Sequence, residues 1–165
     1  MNDVAQATVE LIDRYSPDID VPPPVVLEQA RRNLALRVRM LEEFGAVEPA
    51  ELARLVGSAA RNPASTADNW RRADRIVTVR WKGLTLVPGF QLLQSGKPDP
   101  TVARLLRVLR AYGMDDWEQA LWFVVPCPVL DGRRPVDQLL ALRQQPSTNS
   151  ADELVAAAER RRDWF

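Results

Sequence analysis

The tripeptide Pro126-Cys127-Pro128 is the tightest constraint in this chain. A proline removes a backbone donor and drives the residue before it towards extended geometry, so no helix can pass through this point. The surrounding stretch, WEQALWFVVPCPVLDGRRPVDQLLAL over residues 117–142, therefore reads as helix, rigid elbow, helix. Its first helix carries Trp117, Leu121, Trp122 and Val125 on or near one face. Asp131-Gly132 then supplies a tight turn, because glycine tolerates positive φ and aspartate starts turns. Arg133-Arg134 sits on that turn, and Pro135 suits the first position of a second helix over residues 136–143.

Upstream, residues 3–15 read as a short helix and SPDIDVPPP (16–24) as an extended arm with polyproline character. A long helix follows over 25–44, with Leu27, Leu34, Val38 and Leu41 at near three-to-four spacing, closed by Gly45. Residues 49–57 form a short helix ending at glycine, and Ser65 or Thr66 caps a second one through Arg72. The β-branched run IVTVR (76–80), the turn Trp81-Lys82-Gly83 and LTLV (84–87) before Pro88 then predict a two-stranded hairpin. Helix, helix, hairpin is the order of a winged helix-turn-helix. Residues 101–112 predict an amphipathic helix with Val102, Leu105, Leu106 and Leu109 inward. Residues 151–162 predict a last helix with its basic residues at the C-terminal end, where they suit the helix dipole. The fold class expected is mainly α, helical with a small winged module.

Charge narrows the functions. The formal net charge is zero, so no global field recruits nucleic acid. Residues 61–82 nonetheless hold Arg61, Arg71, Arg72, Arg75, Arg80 and Lys82 against only Asp68 and Asp74, a local basic patch. Phosphates supply most non-specific affinity, and Arg and Asn read base edges in the major groove. Asn69, Arg71 and Arg72 on the second helix are the groove candidates, and Arg75, Arg80 and Lys82 complete the DNA-binding set, with Arg80 and Lys82 set against phosphate from the wing. The 165 residues contain no histidine, which excludes Ser-His and Cys-His nucleophiles and His-containing zinc sites. No nucleophile–base pair or metal-ligand spacing stands out, so neither an enzyme nor a cofactor is expected. Gly89 and Gly96-Lys97 are not a phosphate loop: six residues separate the glycines rather than four, and Pro98 stands where Ser or Thr would hold magnesium. A single cysteine precludes an internal disulfide and fits a reducing cytoplasm. No apolar run approaches the ~20 residues that span a membrane, and MNDVAQATVE lacks a signal-peptide layout.

Two resemblances add to this reading. NWRRADRIVTVRWKGLTLVP looks like the DNA-binding heads of excisionase and MerR-like regulators. Trp122-Phe123, Pro126, Leu130, Gly132-Arg133-Arg134-Pro135 and Leu139-Leu140 resemble the toxin-binding domain of the Xre/MbcA/ParS-type antitoxins, and PGFQLLQSGKPDP resembles their Pro-x-Phe-Gln linker. Cys127 stands where that family usually has Asn, so the elbow here must be held another way. The resemblance implies three parts: 1–45 with N-terminal helices and arm, 46–88 as the winged module, and 89–165 as a helical toxin-binding domain. It implies a cytoplasmic bacterial antitoxin that blocks the cleft of a RES-domain, NAD-consuming toxin, as a homodimer or a hetero-oligomer with the toxin, with operator DNA as a further partner. The implied toxin contacts are Trp117, Trp122, Gly132, Arg133, Arg134, Pro135, Arg160, Arg161, Trp164 and Phe165, with Trp122 expected in the core. The alternative is a stand-alone winged-helix DNA-binding regulator.

Overall fold

Prolines set where helices begin. In the computed structural model, which describes residues 23–160, helices start at Pro24, Pro49, Pro100 and Pro135, where a missing N–H costs nothing. The expected helix at 3–15, most of the extended arm, and Arg161, Trp164 and Phe165 lie outside the described residues. The elements are α1 (Pro24–Phe44), β1 (Ala46–Val47), α2 (Pro49–Leu55), α3 (Ala64–Arg72), β2 (Val79–Trp81), β3 (Leu84–Pro88), α4 (Pro100–Ala111), α5 (Asp116–Trp122), α6 (Pro135–Gln144) and α7 (Thr148–Glu159). Single 3-10 turns occupy Gly89–Gln91 and Pro128–Leu130. The fold is mainly helical with a small three-stranded antiparallel sheet.

The chain divides into two compact units, residues 1–34 and 35–165. In the first, the opening half of α1 leaves Val25, Val26, Leu27 and Leu34 exposed, and Arg32 pairs with Glu28 one turn earlier at 3.1 Å. The second unit holds the sheet, in the order β1-β3-β2, with the register Ala46↔Pro88, Val47↔Val87, Val79↔Leu86, Arg80↔Thr85 and Trp81↔Leu84. The hairpin was expected; the third strand was not. Lys82 and Gly83 both adopt positive φ (47° and 83°), the geometry that lets a two-residue turn follow the twist of its strands.

Residues 76–88 pack in two directions. Ile76 and Val87 join Leu52 and Ala67 in a small core under α2 and α3. Val77 and Val79, with half-buried Leu86, join the larger core of Leu105, Leu106, Leu109, Trp122, Phe123, Leu139 and Leu154 from the C-terminal helices. Adjacent side chains of an extended chain point opposite ways, so one segment closes both cores.

The paired strand begins at Val79 rather than Ile76, and the reason is a side chain. Gln91, fully buried, accepts from the Val77 N–H (2.6 Å) and donates to the Val77 carbonyl (2.9 Å) and the Pro88 carbonyl (3.1 Å). Its amide does what a neighbouring strand would otherwise do. Next to it, Arg143 donates to the Phe90 carbonyl (2.6 Å) and to Asp99 (2.8 Å), whose other oxygen caps α4 at Thr101. The stretch between Pro88 and Pro100 is therefore ordered, although proline and glycine make it look like a linker.

The C-terminal elbow is held through backbone. Cys127 N–H donates to the Arg133 carbonyl and Gly132 N–H to the Cys127 carbonyl, both at 2.9 Å, and Asp131 and Gly132 both take positive φ. The side chain at 127 is not needed for these bonds; burial pushes the Cys127 thiol above its ordinary value. α5 ends at Trp122, three residues short of the expected Val125, because Pro126 disfavours helical geometry before it. α7 spans Thr148–Glu159 rather than 151–162.

Replacing Gln91 by Met keeps the volume and removes every polar partner. Val77 would then bury an unpaired donor and acceptor, each worth roughly 1–3 kcal/mol. Gln91→Met is expected to lower unfolding stability by on the order of 3 kcal/mol, read as a reduced urea midpoint at unchanged slope.

Candidate nucleic-acid interface

α3 begins at Ala64, one residue before the expected cap. Pro63 pre-sets the turn, and the Asn62 side chain accepts from the Ala64 N–H at 3.1 Å. Thr66, freed from capping, shares a hydrogen bond with Ser58 at 2.8 Å and so ties the connection between α2 and α3 to the helix itself. Ala67 packs inward with Leu52, which turns Asp68, Asn69 and Arg72 to solvent. Asn69 and Arg72 stand three residues apart on that outer face and are neighbours on the helix surface. Neither makes a side-chain hydrogen bond or ion pair among the described residues.

The other four basic candidates are exposed but engaged. Arg71 reaches Asp116 at 3.5 Å. Arg110 bonds to Asp74 and stands 3.8 Å from Asp116, so the end of α3 is tied to α4 and α5. Arg75 lies over the Trp70 ring at 5.6 Å. On the wing, Arg80 donates across the strands to Thr85 at 3.3 Å, and Lys82 stands 5.9 Å from the Trp81 ring. The structure thus brings Asn69 and Arg72 together on one free face, sets Arg80 and Lys82 on the hairpin, and turns Arg71 towards the helical region.

The residues implied as toxin contacts separate more sharply. Trp122 is 3% exposed, edge-on to Phe123, and Pro135 is buried. Neither meets a partner unless the fold opens. Trp117 is half-buried, and its indole N–H donates to the Arg80 carbonyl at 3.2 Å. Arg134 is fully committed: it grips Glu43 with two bonds of 2.8 Å and Asp137 with bonds of 2.8 and 2.6 Å, and lies 5.9 Å over Phe44. Only Gly132, Arg133 and Arg160 of the described set are exposed. Arg133 and Arg160 line one shallow cleft of about 380 Å³ with Val129, Asp131 and Glu153. Sequence reading missed Glu43, took Gln91 only as part of a linker motif, and did not foresee Asp116 as the partner of Arg71. Each acts across a long sequence separation that no periodicity reveals.

No protein-family model matches the chain, and no curated protein matches it. One solved structure to which it is similar is the NMR structure of Rv2175c, with 27% identity and a TM-score of 0.52 over 68% of this chain and 80% of that one. No group of His, Cys, Asp and Glu able to hold a metal ion occurs among the described residues, and none of the described helices is long and apolar enough to cross a membrane.

Hydrogen bonds from Arg134 hold both Glu43 and Asp137 below their usual carboxylate range, while the same bonds raise Arg134. Depressed carboxylates add stability that is complete above their unfolded-state values and lost as pH falls through the folded ones. All three side chains are partly exposed, so solvent screening limits the gain. Arg134→Ala is expected to cost on the order of 1 kcal/mol at neutral pH. In urea unfolding across a pH series, the gap between the two proteins should close once pH drops below the normal carboxylate range.

Proposed function

We propose that this chain binds duplex DNA as a winged-helix protein, with α3 facing the major groove and the β2–β3 wing lying along phosphates. One observation carries the reading: Asn69 and Arg72, adjacent on the outer face of α3, have polar groups with no partner among the described residues, beside a hairpin bearing Arg80 and Lys82. An unengaged Arg and Asn on a helix held by its own small core match what base edges require, because each can bond a purine edge twice. In a chain of zero net charge, the attraction must come from this patch and not from a global field. Arg71 contributes less, since Asp116 already takes its charge.

Titrating a labelled mixed-sequence duplex at several salt concentrations tests this. Log affinity should fall linearly with log salt, and Lys82→Ala should flatten the slope by ~0.9, one phosphate contact. Arg72→Ala should weaken binding by more than Arg71→Ala. Asn69→Ala should reduce the spread of affinities among duplexes of different sequence, by ~1–3 kcal/mol at the base it reads. Salt-independent retention would sink the reading.

The antitoxin reading is supported by a different surface. Asp131, Gly132 and Arg133 project as an exposed turn fixed by the Cys127 backbone, with Val129 exposed beside them and Arg160 across the cleft. A rigid protruding turn meets a partner at low entropic cost. On this reading, co-expression with the product of the adjacent gene yields a complex that relieves growth arrest. Arg133→Glu would break the complex and Arg72→Ala would leave it intact.

A further inference from the structure

β1 and the two cores hold the root of the wing, through Val87, Pro88, Val77 and Val79, but its outer pairs, Arg80↔Thr85 and Trp81↔Leu84, extend beyond them. Something outside the hairpin must hold these pairs if Arg80 and Lys82 are to meet phosphates at a fixed spacing. The first turn of α5 reaches Arg80 and Trp81.

Trp117 touches the wing in two ways. Its indole N–H donates to the Arg80 carbonyl at 3.2 Å, which pins the backbone of a proposed phosphate-binding residue. Its ring meets Trp81, the next residue, edge-on at 6.0 Å and 70°, the arrangement aromatic quadrupoles favour. Trp117 is held in turn. The Arg37 guanidinium from α1 lies 4.6 Å over its ring. The turn carrying Trp117 is itself fixed: Asp115 accepts from the Glu118 N–H and Glu118 accepts from the Asp115 N–H, each at 2.8 Å. The residue before Trp117, Asp116, reaches Arg71 on α3. One turn of helix thus touches both halves of the proposed DNA interface, from a part of the chain that itself meets no DNA.

We infer that Trp117 is a positioning residue for DNA binding: through the Arg80 carbonyl and Trp81 it sets the angle of the wing, and so decides whether Arg80 and Lys82 reach phosphate. The inference rests on the DNA reading above. Trp117→Phe removes the indole donor and keeps an aromatic ring, so the full chain should fold and melt near the wild-type temperature.

The experiment measures the salt dependence of binding to a labelled mixed-sequence duplex for wild type, Trp117→Phe, the double variant Arg80→Ala/Lys82→Ala, and the triple variant. Trp117→Phe should flatten the slope by about 2, at ~0.9 for each phosphate that the wing no longer reaches. Added to the double variant, it should change nothing further, because the two side chains it positions are already absent. A wild-type slope in Trp117→Phe, or effects that add in full, overturns the inference and leaves the DNA reading standing. If wild type shows no salt-dependent retention, the DNA reading fails and the inference fails with it. Amide exchange within the hairpin then reports on the wing alone. Cross-strand amides should open roughly tenfold more readily in Trp117→Phe while α4 amides keep their protection. Unchanged hairpin exchange overturns the positioning role as well.

Discussion

The buried amide of Gln91 is what the architecture depends on. The segment that serves two cores enters its ladder only at Val79, so the N–H and carbonyl of Val77 need partners from elsewhere. Gln91 resolves this by presenting an acceptor to the Val77 N–H and a donor to its carbonyl from a single side chain, while also reaching Pro88. Were that residue apolar, the point where the hairpin meets the helical region would bury unpaired backbone, at roughly 1–3 kcal/mol for each group. The Arg143–Asp99 pair, with Arg143 also on the Phe90 carbonyl, secures the same joint from α6. Residues 46–88 and the C-terminal helices fall in the same compact unit of the chain.

Arginine is put to two uses here. Twenty arginines and two lysines give the chain an unusual supply of planar, many-donor groups. Arg134, Arg143 and Arg110 turn theirs inward, each bridging elements far apart in sequence. Arg72 and Arg61 stay outside and unpaired among the described residues. Composition alone cannot distinguish the two uses, since a guanidinium that staples a fold and one that waits for a ligand are the same residue in a string. The distinction appears only when carboxylates such as Glu43 and Asp99 are brought up against them.

That limit explains what could be read in advance. The helices were legible because proline starts and apolar spacing are local signals, and the hairpin because IVTVR and LTLV alternate around a Lys-Gly turn. The burial of Trp122 followed from its place on an apolar face. β1 was not legible, since two residues carry no period, and neither was the shortened β2, whose ladder position at Val77 is taken by a glutamine side chain fourteen residues on. Among the site residues, the outward face of α3 was readable from Ala67 and the charged positions around it. The commitment of Arg134 to Glu43, ninety-one residues away, was not. Resemblance marked Gly132-Arg133-Arg134-Pro135 as one motif, whereas the fold leaves Gly132 and Arg133 exposed, commits the partly exposed Arg134 to Glu43 and Asp137, and buries Pro135.

Gly89 has a consequence for how the wing can vary. A methyl group added there would sit 2.3 Å from the Phe44 carbonyl oxygen, because β3 leaves the sheet pressed against the end of α1, with the Gly89 N–H on the Gly45 carbonyl. At the opposite end of the hairpin, a Cβ on Gly83 would meet nothing within 4 Å. The wing is a stalk with a closed root and an open tip. Gly83 has room for a side chain but holds φ at 83°, so a substitution there is strained by the backbone itself, whereas at Gly89 it is neighbouring atoms that exclude one. The hairpin is fixed at both ends, by packing at its root and by backbone geometry at its tip.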